Sequence, residues 1–123
     1  MIWDHDGHFT DAQRSEVAER LIQGGCKYAI CGGQNCEAWH DAVDEQIVGR
    51  QVDDADPTND ALDVMTTWHD GQTPDDVAFF FVTCTDFGYY DFKHYLVLHV
   101  GDGETIEEVN AAVRWHAIVK GRI

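Results

Sequence analysis

Apolar residues first recur at helical spacing: Val17, Ala18, Leu21 and Ile22 share one side of a helix wheel. Thr10 with Gln13 makes a capping box ahead of them and Gly24-Gly25 supplies a left-handed stop behind, so the pattern predicts a helix over 11–23. The period then changes. Lys27-Tyr28-Ala29-Ile30-Cys31 is a short apolar run closed by Gly32-Gly33, the mark of a buried strand entering a tight turn. From Cys36 to Val48 helical spacing returns, with Cys36, Trp39, Val43 and Ile47 on one side and Glu37, Asp41 and Glu45 elsewhere. Asn35 suits its N-cap.

Residues 49–58 are polar and read as a loop, and Ala61, Leu62, Val64, Met65 and Trp68 predict a third helix over 59–69. After a break at Gly71-Gln72-Thr73-Pro74, the unbroken run Val77 to Val82 has the character of a strand buried on both faces. A connection of seven residues, 85–91, leads to a second strand-like run over 92–100. So short a link permits a hairpin and forbids a parallel crossover, so the two strands are expected to pair antiparallel. Gly101-Asp102-Gly103 turns the chain, and Thr105 with Glu108 makes a second capping box for a helix over 106–120. Ile106, Val109, Val113 and Ala117 form its inward stripe, while Ala111, Trp115 and Ile118 project from the other side. The expected fold is a single domain over 1–123 of α/β class, with α+β as the alternative. It has the order αβααββα and a small mixed sheet of three strands, or four if Met1 to His5 joins.

Charge narrows the partners. The 23 acidic residues against 8 basic ones give a net charge of -15, which repels phosphate backbones and anionic membranes and speeds encounter with a basic protein. A small binding or regulatory protein of inhibitor or immunity type is the leading expectation, with no nucleic acid or membrane as partner. Solubility or adaptation to high salt explains the same acidity more simply. The chain shows neither a signal-peptide pattern nor an apolar run long enough to span a bilayer. Cys26, Cys31, Cys36 and Cys84 read as thiols of a cytoplasmic protein.

Reactive side chains are densest between Cys31 and Asp41, where a strand end, a glycine turn and a helix start meet. Cys36 and His40, one helical turn apart, could act as nucleophile and base, with His69 a further catalytic candidate. The same pair could hold zinc, with His69, Cys84, His94 or His99 as a third ligand. Gly32, Gly33 and Asn35 could cradle a small anion. Against all three stands the place of Cys36 on the apolar stripe, where a free cysteine is a small buried hydrophobe. Trp115 and Ile118 are candidates for an interface, including self-association through the last helix. The passage from Leu21 through Lys27-Tyr28-Ala29-Ile30-Cys31-Gly32-Gly33 to His40 resembles the opening of minimal nucleotidyltransferases. That resemblance implies Gly32 and Gly33 near a nucleoside triphosphate. The chain departs from the family's Asp-x-Asp strand pair, since Asp54 and Asp56 fall in the polar segment before Pro57.

Overall fold

The computed structural model describes residues 1–53, 64–85 and 92–121, with the side chains of 51–53 left aside. Within them strands and helices alternate: β1 (Ile2–Asp4), α1 (Asp11–Gln23), β2 (Tyr28–Gly33), α2 (Cys36–Asp53), β3 (Met65–Trp68), α3 (Pro74–Thr83), β4 (Leu98–Val100) and α4 (Ile106–Lys120). The four strands lie in the order β3-β2-β1-β4, and every pairing is parallel. Ile2 stands opposite both Cys31 and Leu98, so the short first strand is the centre of the sheet.

Alternate side chains of the central strands feed two cores, one on each face of the sheet. Ile2, Ala29 and Cys31 pack with Ala18 of α1 and with Cys36, Trp39, Val43 and Ile47 of α2. Met1, Trp3 and Ile30 pack with Val77, Phe81 and Val82 of α3 and with Val109 and Ala117 of α4. The result is a three-layer α/β/α sandwich. The chain winds outward from β1 to β3, then crosses to β4 on the other side of β1. The strand order therefore reverses between β1 and β4.

The α/β class, the four strands with Met1–His5 contributing one, and the covering helices match expectation. So do the limits of α1 and α4. The sheet is parallel throughout, which corrects the expected mixed sheet and its antiparallel pair over 77–84 and 92–100. Residues 74–83 are helical because Thr73 caps the first turn through Asp76 N (3.2 Å) and Pro74 sits at its start. Val77, Ala78, Phe81 and Val82 are buried while Phe79 is 50% exposed, a helical face hidden inside an unbroken apolar run. Met65 to Trp68, expected as the end of a helix, form β3, where paired β-branched Thr66 and Thr67 suit an edge strand. Residues 49–53 extend α2, while the rest of the expected loop and 59–63 of the expected helix lie outside the described residues. No helix among the described residues is long and apolar enough to cross a membrane.

Candidate functional site

In an open parallel sheet, ligands bind beyond the carboxyl ends of the strands at the point where strand order reverses. Here that point lies between β1 and β4. Asp4, the last residue of β1, is 1% exposed and organises the loop that follows. Its Oδ1 accepts from the amides of Asp6 (3.2 Å) and Gly7 (2.8 Å), and its Oδ2 accepts from the Trp39 indole Nε1 (2.8 Å). One carboxylate thus ties β1, its outgoing loop and α2 together.

The loops after β1 and β4 meet at that point. Asp6 Oδ2 accepts from Asp102 N (3.0 Å) and Oδ1 from His8 N (3.1 Å), bonds that hold its carboxyl below the ordinary value. Gly101, at φ 76°, lies so close to the Asp6 carboxylate that a Cβ there would overlap it. Beside this tie runs a chain of side chains. Thr105 Oγ1 lies 2.7 Å from His5 Nδ1, His5 Nε2 lies 2.9 Å from His99 Nδ1, and His99 Nε2 lies 2.7 Å from Asn110 Oδ1. The two imidazoles stack at 5.1 Å. Burial first, then the neighbouring His99, lowers the pKa of His5 from its ordinary value, against the pull of Asp4 and Asp6.

The site residues expected from sequence fall elsewhere. Cys36 is 2% exposed in the core beside Trp39, and burial pushes its thiol pKa up, away from a reactive thiolate. His40 turns to Asp41 (3.0 Å) and to the ring of Trp68. No hydrogen bond joins it to Cys36 among the described residues. His69 follows β3 rather than closing a helix, and sits between Thr67 Oγ1 (3.0 Å) and Gln72 Oε1 (3.1 Å). Burial lowers its pKa. Among the described residues no three His, Cys, Asp or Glu side chains converge as metal ligands would.

The glycine turn is filled by the protein itself. A Cβ on Gly32 would meet the Trp3 ring at 2.6 Å, and one on Gly33, at φ 78°, would overlap the Asp4 carbonyl. Asn35, at φ 51°, spends its side chain on Gly7 O (3.2 Å). Trp115 and Ile118 of α4 are 61% and 53% exposed. Trp3 is buried against Gly32.

Sequence reasoning missed His5, His99, Thr105 and Asn110 as a group. The one local cue was misleading: Thr105 makes no cap bond to its helix, despite Glu108 three residues on. Its hydroxyl is bonded to His5.

Acidic side chains are frequent at the carboxyl end of the strands, while Glu16, Glu19, Asp41, Asp44 and Glu45 lie along α1 and α2. First turns carry Asp11, Glu37, Asp75, Asp76, Glu107 and Glu108, whereas Arg20, Arg50 and Lys120 occupy last turns. In a parallel α/β fold all first turns lie at the carboxyl end of the sheet, where Asp6, Asp70, Asp102 and Glu104 also sit in loops. Arg14, a basic residue at that end, is buried, bonded to Phe9 O (2.6 Å) and paired with Asp11.

A family model described as a domain of unknown function, DUF7684, matches residues 1–115, and the chain belongs to that family. No curated protein and no solved structure matches it.

Proposed function

We propose that the protein is a cytoplasmic binding module that docks a basic protein partner on the loop end of its sheet. The observation that carries the reading is that acidic first turns and acidic loops share one end, where Arg14 is buried and paired with Asp11. First-turn acids complement helix dipoles, each worth about 0.3–1 kcal/mol. Asp70, Asp102 and Glu104 lie in loops outside those turns and gain no such term. Together they make a face that repels the phosphates often held at such sites and attracts Lys- or Arg-rich surfaces. Four free thiols accord with a reducing compartment.

The test compares two variants of the whole chain. One carries Asp70→Asn, Asp76→Asn, Asp102→Asn and Glu104→Gln; the other carries Glu16→Gln, Glu19→Gln and Glu45→Gln, away from the loop end. Affinity for a lysine-rich peptide at low salt should fall at least tenfold in the first and stay within twofold in the second. It should also fade toward 1 M salt, where the screening length is about 3 Å. Equal loss in both variants would show that net charge alone acts, and would remove the docking face.

A further inference from the structure

The hydrogen-bond chain at the carboxyl ends of β1 and β4 has a direction, set by its last member. Asn110 Oδ1 only accepts, so His99 donates from Nε2, and in the neutral imidazole the lone pair is then on Nδ1. His5 then donates from Nε2 to that lone pair, and its own Nδ1 is left to accept from the Thr105 hydroxyl at 2.7 Å. The hydroxyl proton therefore faces a neutral imidazole whose second nitrogen is anchored. That arrangement activates an alcohol for attack on a carbonyl.

Two observations set this chain apart from a simple tie between loops. Thr105 is the N-cap of α4, where a hydroxyl ordinarily accepts from a first-turn amide. It makes no such bond, so the first-turn N–H groups next to the hydroxyl have no side-chain cap and can meet a developing oxyanion. The chain also lies where strand order reverses, and both Thr105 and His5 reach solvent in part.

We propose that Thr105 is the nucleophile and His5 the general base of an acyl-transfer site that hydrolyses carboxylic esters of neutral or cationic alcohols. His99 and Asn110 are positioning residues. The substrate class follows from Asp102, Glu104, Glu107 and Glu108, which flank Thr105 in the chain and repel an anionic carrier. Thr105 Oγ1 bonds to the carbonyl carbon as its proton passes to His5 Nδ1. The bond from that carbon to the alcohol oxygen then breaks, and the departing alcohol takes the proton from His5. Water, giving a proton to His5, attacks the acyl-Thr105 ester and releases the carboxylic acid, and the proton returns to Thr105.

Hydrolysis of p-nitrophenyl acetate by the full chain tests the assignment. Thr105→Val, which keeps the side-chain shape, and His5→Gln should each lower kcat/KM by about 100-fold or more, while Thr105→Ser stays within about tenfold, as a retained hydroxyl–imidazole pair requires. Mass spectrometry of the quenched wild-type reaction should place the acetyl group on Thr105, a readout that needs no variant. His99→Gln should lower kcat with KM unchanged, as loss of a positioning residue requires. Wild-type turnover no faster than buffer, full activity in a folded Thr105→Val chain, or acetyl found only on other residues would each overturn the proposal.

Discussion

Removing the Asp4 carboxylate probes the joint on which the loop end is built. Asp4→Ala deletes three acceptor bonds, from Asp6 N, Gly7 N and Trp39 Nε1, and leaves the indole N–H of a fully buried tryptophan without a partner. Bonds to a charged group are worth about 1.5–3 kcal/mol each and an orphaned buried donor costs about 1–3 kcal/mol. Against that sum stands the cost of burying a carboxylate, several kcal/mol, which the substitution returns. The net loss is about 3 kcal/mol, since roughly 6 for the bonds and 2 for the orphan are offset by roughly 5. With an unfolding entropy of about 2.1 cal/mol/K per residue, 123 residues give about 0.26 kcal/mol/K, so the melting midpoint should fall by about 12 °C. Asp4→Asn should do nearly as badly, because its amide nitrogen opposes the indole N–H with a second donor. A double-mutant cycle with Trp39→Phe, read by urea denaturation, isolates the shared bond, and its coupling should be about 2 kcal/mol. If the two changes add to within about 0.5 kcal/mol, the limit for independent sites, the bond does not hold α2 to β1 and the reasoning fails.

Glycine substitutions should split by environment. Gly33→Ala, at φ 78° and against the Asp4 carbonyl, should cost more than about 2 kcal/mol by denaturation, whereas Gly49→Ala, inside α2 and facing open space, should stabilise by about 0.5–1 kcal/mol. His69 has a folded-state pKa below its unfolded value, so between those values the unfolded chain binds more protons and stability falls as pH drops below about 6.5. His69→Asn, compared with wild type from pH 7 to 5, should lose that part of the slope; parallel curves would refute it. Iodoacetamide at pH 8 should modify the exposed Cys84 of the native chain. Cys36 and Cys31 should wait for denaturant, because burial raises both thiols, Cys31 to about 12. Rapid native modification of Cys36 would restore it as a nucleophile.

Elements carried by local signals were legible. The Thr10–Gln13 capping box fixes the start of α1 in the structure as in the sequence, and the stripe of Cys36, Trp39, Val43 and Ile47 is the buried face of α2. The strand expected at Val77 failed for a physical reason: a short continuous apolar run has no period to measure. Val77 to Val82 is such a run, and the information that it is helical lay upstream in Thr73-Pro74-Asp75-Asp76, an N-cap, a proline at the first turn and two acids at the dipole's positive end. Read as a break, those residues hid α3. With 77–84 taken as a strand, the short link to 92–100 then forced an antiparallel pair, so one misassigned element also set the wrong sheet direction.

The site was less legible than the fold because none of its contacts is local. His5 and Thr105 are separated by 100 positions, and His5 and His99 by 94; only the placement of β4 beside β1 brings them together. Cys36 and His40 drew notice because they are close in sequence, yet helical geometry sends the first into the core and leaves the second beside Asp41 and Trp68. The same topology gives the acidity a place that net charge could not reveal. Parallel strands bring every helix N-terminus to one end, so the first-turn acids gather there although they are distant in sequence. A charged surface and a hydrogen-bond chain thus share one end of the sheet, the first because the strands are parallel and the second because β4 lies beside β1.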